Sequence, residues 1–285
     1  MKVLITGAAG VLGKGVTKFV EQDGGYEIRL SDMLPVESKH EYVQADLSDL
    51  DQARKACHGM EAVVHCAAIH PWKKYTSDQY LDWNIKGTYN LLQAAVDSGV
   101  RKVIYTSSIA AMGYDPVPPH EPPITEAHCP NAPVENLYGV TKLVGEHFCE
   151  MFRRNNKLHY LAVRPPAFMP KDMSDLNIAL GLLRTYMVAD DVALGHYCAL
   201  KADAPSGEAF ILAADTPFQH ADAADLQRDA APVIVRYFPK AAPMLKDLLP
   251  GSLKFRAFYS NRKAKTMLGF QPKHNFQQWL EQRVG

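Results

Sequence analysis

Thr6-Gly7-Ala8-Ala9-Gly10-Val11-Leu12-Gly13 follows a short apolar run, Val3-Leu4-Ile5, and leads straight into a pattern that sets Val16, Phe19 and Val20 at helical spacing. A chain that passes from strand to helix through three glycines has few folds open to it. Glycine tolerates the tight turn, lets backbone N–H groups approach a pyrophosphate and allows close helix–strand packing, while the helix N-terminus offers partial positive charge. The spacing is G-x-x-G-x-x-G and not the commoner G-x-G-x-x-G. Gly7, Gly10, Val11, Leu12 and Gly13 are the candidate phosphate cradle.

The same rhythm continues. Strands are expected at Lys2–Thr6, Glu27–Ser31, Glu41–Gln44, Ala62–Cys66, Lys102–Thr106 and His159–Val163, with helical stretches between them. The clearest helices are Ser77–Ser98, closed by Gly99, and about Asn136 to Asn155. Alternation of this kind predicts an α/β class, a Rossmann-type doubly wound parallel sheet over residues 1–164. After Arg164-Pro165 the rhythm weakens. A helical-looking stretch Leu176–Met187, a helix at about Asp190–Leu200, a strand at Ala209–Ala213, an apolar run Pro232–Phe238 and a helix near Asn261–Leu268 read as a small substrate-binding lobe, 165–285, on the sheet edge where ligands of open α/β folds sit. Between Asp115 and Pro133 seven prolines (Pro116, Pro118, Pro119, Pro122, Pro123, Pro130 and Pro133) predict a stiff loop over one sheet edge.

Charge and cysteine usage narrow the function classes. With 31 Lys+Arg against 31 Asp+Glu the net charge is zero, so no overall field draws the chain to nucleic acid or to anionic lipid. The densest basic cluster, Arg153, Arg154 and Lys157, suits a helix C-terminus. No apolar stretch approaches a membrane span. Five cysteines, Cys57, Cys66, Cys129, Cys149 and Cys198, never form a C-x-x-C pair, which predicts free thiols and a cytoplasmic location. His120 and His128 lie in the proline-rich loop without metal spacing, and no metal site is expected.

Chemistry concentrates at strand ends. Asp32 ends the second strand roughly 20 residues past the glycines, where a carboxylate accepts from adenosine ribose hydroxyls and repels a 2′-phosphate. That favours NAD over NADP; Arg29, three positions earlier and so out of phase with Asp32, faces elsewhere. Asp46, with Leu47, follows the third strand and meets either an adenine amino group or a helix N-terminus. Tyr138 and Lys142 lie four apart at a helix start and share a face, where a neighbouring ammonium favours the phenolate; taken alone the pair could equally be a surface contact. Thr106, Ser107 and Ser108 emerge from the fifth strand, where a serine hydroxyl either forms a turn or donates to a reacting oxygen.

Together these elements resemble an extended short-chain dehydrogenase/reductase, the group of NAD-dependent sugar epimerases, dehydratases and uronate dehydrogenases. His65-Cys66-Ala67-Ala68, Asn84-Ile85-Lys86-Gly87-Thr88, Arg164-Pro165, Asp190-Asp191-Val192-Ala193 and Leu268-Gly269-Phe270-Gln271-Pro272 extend the resemblance along nearly the whole chain. The resemblance implies NAD as cofactor, Tyr138 as acid/base, Lys142 on the nicotinamide ribose, Ser108 on the reacting oxygen, and Ala67, Asn84 and Thr106 around the cofactor. Asn84 also reads as a structural asparagine inside a helix. A homodimer formed through the Ser77–Ser98 and Asn136–Asn155 helices is the family expectation.

The interval from Arg164 to Asp191 is short, resembling uronate dehydrogenases that act on free sugars, which points to a small sugar-like substrate. Arg184 lies in that interval and could pair with a carboxylate or stand in solvent. His70-Pro71-Trp72, after the fourth strand, offers an imidazole and an aromatic platform for a sugar ring, or ordinary loop packing. The leading expectation is an NAD-dependent oxidoreductase on a sugar or sugar acid. The alternatives are an epimerase or dehydratase that returns the hydride, and a non-catalytic dinucleotide-binding protein.

Overall fold

Strand β1 (Lys2–Thr6) is central because its side chains are apolar on both faces: Val3 and Ile5 enter one core and Leu4 the other. Around it a computed structural model, which describes residues 1–113, 122–128, 130 and 136–284, arranges seven strands all parallel in the order β3-β2-β1-β4-β5-β6-β7. The others are β2 (Glu27–Asp32), β3 (Glu41–Gln44), β4 (Ala62–His65), β5 (Lys102–Thr106), β6 (His159–Arg164) and β7 (Glu208–Ile211). The chain winds outward from β1 to β3, then returns to the other side of β1 at β4. A crevice therefore opens above the carboxyl ends of β1 and β4.

Helix α1 (Val11–Asp23) covers one face of the sheet with Leu12, Val16 and Val20. The opposite face is covered by α2 (Leu50–Cys57), by a continuous helix made of α3 (Ser77–Gln79), a π turn (Tyr80–Lys86) and α4 (Gly87–Asp97), and by α5 (Leu137–Asn156). Thr76 starts that composite helix with a capping box on Gln79, and Gly99 in a left-handed conformation follows its end. The expected uninterrupted α-helix thus contains a widened turn, which lets Asn84 be buried while Leu81 stays exposed.

The segment after residue 164 contributes to the sheet itself. It supplies β7, paired in register with β6, and α7 (Ala189–Lys201), which packs beside α1. Lys102 on β5 donates to the Leu200 and Ala202 carbonyls at the end of α7. Of the stretch expected to be helical from Leu176 to Met187, only α6 (Leu176–Gly181) is. The Gly181 carbonyl collects the N–H groups of Arg184, Thr185 and Tyr186, and the chain then pairs through Tyr186 with Ala167. The helices α8 (Ala223–Arg228), α9 (Ala230–Tyr237), α10 (Ala242–Leu245), α11 (Arg262–Leu268) and α12 (Phe276–Val284) complete the chain. The apolar run Pro232–Phe238 falls in α9, where Pro232 sits in the first turn, a place that needs no N–H from it. Of the proline-rich loop, Pro116, Pro118, Pro119, His120, Cys129 and Pro133 lie outside the described residues. Its described part docks on the C-terminal segment and β7: Ile124 exchanges backbone bonds with Phe258 and Ser260, and Glu126 accepts from the Ile211 N–H.

Candidate active site

The crevice is a cleft of about 550 Å³. At its floor Gly7 adopts φ +67, and a Cβ there would fall 2.7 Å from the Ala67 nitrogen; a Cβ on Gly13 would fall 2.2 Å from the Gly7 carbonyl oxygen. The turn is therefore glycine for lack of space as well as for conformation. Gly10 is the N-cap of α1 and brings no side-chain cap, and Val11, Leu12 and Gly13 of the first turn line the cleft, so orphan N–H groups face an anion's place.

Asp32 lines the cleft next to them. Its carboxylate accepts from the Ala9 N–H (3.0 Å) and the Leu34 N–H (2.9 Å), one per oxygen, which pins both oxygens and leaves lone pairs for ribose hydroxyls. Arg29 is turned away, paired with Glu41 and donating to the Ala56 and His58 carbonyls. Asp46 and Leu47 also line the cleft. The N-cap of α2 is Asp49; Asp46 instead closes a local turn by accepting from the Ser48 N–H.

Tyr138, Lys142 and Ser108 are not among the residues that line the cleft; Tyr138 and Lys142 adjoin it through His70 and Thr106, which are. Helix α5 begins with Asn136 accepting from the Gly139 N–H. Tyr138 and Lys142 follow on one face, with the Lys142 Nζ 5.8 Å from the centre of the Tyr138 ring. That ammonium is buried and donates to the Thr106 carbonyl oxygen at 2.8 Å; burial pushes it down to about 8. Thr106 lines the cleft, and its hydroxyl meets His196 Nε2 at 2.9 Å. His196 Nδ1 lies 2.8 Å from the Val192 carbonyl, and burial holds the ring neutral at about 4, so Nδ1 carries the proton and Nε2 accepts from Thr106. Ser108 caps a short 3-10 turn, its Oγ accepting from the Ala110 N–H at 3.1 Å, which orients the oxygen and leaves its O–H to donate. Behind it Ser107 donates to Glu146, whose carboxylate is held by both arms of Arg164.

Of the remaining candidates, Ala67, His70 and Trp72 line the cleft. The His70 ring packs against Tyr138, centres 5.8 Å apart, and meets Phe168 edge-on. Asn84 does not line it. All its bonds go to structure: Oδ1 accepts from the Ile69 N–H, and Nδ2 donates to the Ile69 carbonyl and to Thr141, fastening the β4 loop to α5. Arg184 is also outside the lining; its guanidinium lies over the Phe255 ring at 5.2 Å, with a buried Nε that has no partner among the described residues. Phe168, Met169, Tyr75 and Trp83 line the cleft without having been anticipated. Three aromatics among them recur at no regular spacing, so no sequence pattern marks them.

A cradle of glycines that no Cβ could enter, uncapped N–H groups and a fixed carboxylate suit a dinucleotide with a free 2′-hydroxyl. The family model described as the NAD dependent epimerase/dehydratase family matches residues 3–171, more than half of the chain. The chain belongs to that family. NAD is the family's cofactor, and the fit of the cradle agrees with it.

Among known proteins similar to this family member, a 3 beta-hydroxysteroid dehydrogenase/Delta 5-->4-isomerase of Monkeypox virus is 37% identical over 118 residues, 38% of this chain and 34% of that protein. The chain thus matches about a third of that relative's length. A uronate dehydrogenase of Pseudomonas syringae pv. tomato is 28% identical over 195 residues, 67% of this chain and 66% of the relative. Among solved structures, a short-chain dehydrogenase/reductase superfamily protein from Agrobacterium tumefaciens with bound NAD superposes with TM-score 0.74 at 23% identity, covering 100% of this chain and 96% of that one. The last likeness establishes the fold. Among the described residues no helix is long and apolar enough to cross a membrane, and no group of His, Cys, Asp and Glu could hold a metal ion.

Proposed function

We propose that this family member is an NAD-dependent oxidoreductase acting on a hydroxyl or carbonyl of a sugar or sugar acid, with Tyr138 as acid/base. The observation that carries the reading is the buried Lys142 ammonium, fixed by the Thr106 carbonyl beside the Tyr138 ring. Bound NAD supplies the hydride acceptor. The chain's own residues manage the proton and the position. Ser108 donates to the reacting oxygen, Tyr138 takes the hydroxyl proton, and the Lys142 charge favours the phenolate that takes it. Gly7, Gly10 and Gly13 hold the pyrophosphate, and Asp32 holds the adenosine ribose.

Residues 1–164 then serve the dinucleotide and 165–285 complete the substrate side. Arg184, with its guanidinium over Phe255 and its Nε sealed from solvent, lies outside the cleft lining and takes no part in holding the substrate. The uronate dehydrogenase relative supports a sugar acid. A homodimer through the α3–α4 and α5 faces fits the exposed Leu81, Tyr89 and Met151 there, and the free Cys57, Cys66, Cys149 and Cys198 fit a reducing cytoplasm.

The test is absorbance at 340 nm on mixing the protein and NAD with free aldoses, uronates and polyols. Accumulating NADH supports the reading. Turnover without accumulation supports the second reading, an epimerase or dehydratase that returns the hydride, which the family description favours. Turnover unchanged in Tyr138→Phe removes Tyr138 from the mechanism.

A further inference from the structure

Three imidazoles feel the Lys142 charge, and they are not equivalent. His65 has both nitrogens occupied, by Thr6 at 2.8 Å and Thr88 at 3.2 Å. His196 has both occupied too, by Val192 and Thr106. The third, His70, lines the cleft, makes no hydrogen bond to any described residue, and has neither nitrogen among the sealed-off polar atoms.

Its ring is nonetheless held. Tyr138 packs on it at 51° and the Phe168 edge meets it at 90°, which fixes its plane. Burial first, and the Lys142 charge second, push its value down to about 4, so the ring is neutral near pH 7 and offers one donor and one acceptor. A hydroxyl group answers both. A carboxylate only accepts and leaves the acceptor nitrogen facing negative charge.

We propose that His70 binds a substrate hydroxyl on the carbon next to the one that reacts, and so selects polyhydroxylated substrates over those bearing a single hydroxyl. This rests on the reading of Tyr138 as the group that meets the reacting oxygen, since His70 packs directly beside it.

The experiment compares wild type, His70→Phe and His70→Gln. Phenylalanine keeps the ring contacts and deletes both nitrogens; glutamine returns a donor and an acceptor. Steady-state kinetics use D-glucuronate, D-galacturonate and D-glucose against analogues lacking the hydroxyl next to the reacting carbon, and NADH affinity is read by fluorescence. His70→Phe should raise KM for the parent sugar about tenfold or more with a smaller change in kcat, as expected for a lost hydrogen bond to a buried group. The deoxy analogue should be equally poor for wild type and variant, and His70→Gln should recover part of the loss. Equal losses for parent and analogue, or a fall in NADH affinity that assigns the nitrogens to the cofactor, would overturn the proposal.

A second measurement is independent of turnover. Imidazole ¹⁵N resonances of the NADH-loaded protein are followed while the sugars are added. Movement of the His70 signals with the parent sugar and not with its deoxy analogue upholds the proposal, and silence with every sugar overturns it. Absence of turnover in the wild type would defeat the oxidoreductase reading alone, and the resonance measurement would still decide for His70.

Discussion

The two ends of the cleft are built from different material. The dinucleotide end is backbone: a turn in which Gly7 and Gly13 leave no room for a Cβ, uncapped N–H groups at the start of α1, and Asp32 pinned by two main-chain donors. The opposite end is side chain, with His70, Trp72 and Phe168 in the lining and Tyr138 packed on the His70 ring, drawn from three separate stretches of sequence. Backbone recognition suits a ligand that never changes, because it depends on spacing and not on side-chain chemistry. Side-chain recognition can be altered by a few substitutions without disturbing the backbone turn at the other end.

That contrast can be broken from either end. The largest effect is expected for Tyr138→Phe: kcat should fall about 10²- to 10⁴-fold, the range for a lost acid/base group. NAD affinity by fluorescence titration should be unchanged, since the phenol is not part of the cradle. Gly13→Ala adds only a methyl group, yet its Cβ would sit 2.2 Å from the Gly7 oxygen. Overpacking of this kind costs about 1–3 kcal/mol, so NAD affinity should drop about 10- to 100-fold or the thermal midpoint should fall correspondingly. Unaltered binding and stability would mean that the turn relaxes easily and does not define the site.

A smaller effect, from just outside the substrate end, sharpens the difference. Arg184→Met should leave KM unchanged for uronates and for neutral aldoses alike, because the guanidinium lies over Phe255 and not in the cleft lining. Its loss should show instead in calorimetry, as a small fall in the thermal midpoint from the lost contact with Phe255. A rise in KM for uronates alone would place Arg184 on a substrate carboxylate and overturn this reading.

The mildest effect is in pH. The Lys142 ammonium is pushed by burial from an ordinary 10.5 to about 8, so kcat/KM should decline above pH 8 as the charge beside Tyr138 is lost. Stability moves the other way. Between about pH 8 and 10.5 the unfolded chain keeps a proton on this amine that the native protein has released, so this group's contribution rises with pH over that window, whereas below pH 8 the fold bears the full cost of burying the charge. The difference in unfolding free energy between wild type and Lys142→Met isolates that slope. His65, His70 and His196, held at about 3, 4 and 4, should add no limb between pH 5.5 and 7.5.

The same division explains what could be read from the amino-acid order. Lys2–Thr6 and Lys102–Thr106 have the strand limits expected of them, because buried parallel strands are continuous Val/Ile-rich runs ended by turn residues; Glu41–Gln44, an edge strand with no buried residue, also has its expected limits. The glycine turn, Asp32 and the Tyr138–Lys142 spacing were legible for a related reason: each lies within a few residues of a strand or helix end, so local rules place it. Phe168, Met169 and His196 were not. They act across 90 residues or so of chain, as His196 does on Thr106, and nothing local records such a pairing. Helix α12 carried a signal that went unread, Phe276, Trp279 and Leu280 at helical spacing and all buried. The widened turn at Tyr80–Lys86 was not legible, because it is a single-turn bulge inside a helix whose apolar spacing reads as α throughout.

The pairing of β7 with β6 reaches beyond geometry. Because the last strand of the sheet is drawn from the far side of residue 164, a fragment ending there would expose the edge of β6, a row of unpaired amide and carbonyl groups on a strand whose residues Tyr160 to Arg164 are otherwise buried. Such an edge recruits copies of itself. Residues 1–164 are thus expected to clump when made by themselves, and residues 165–285 act as their shield against self-association.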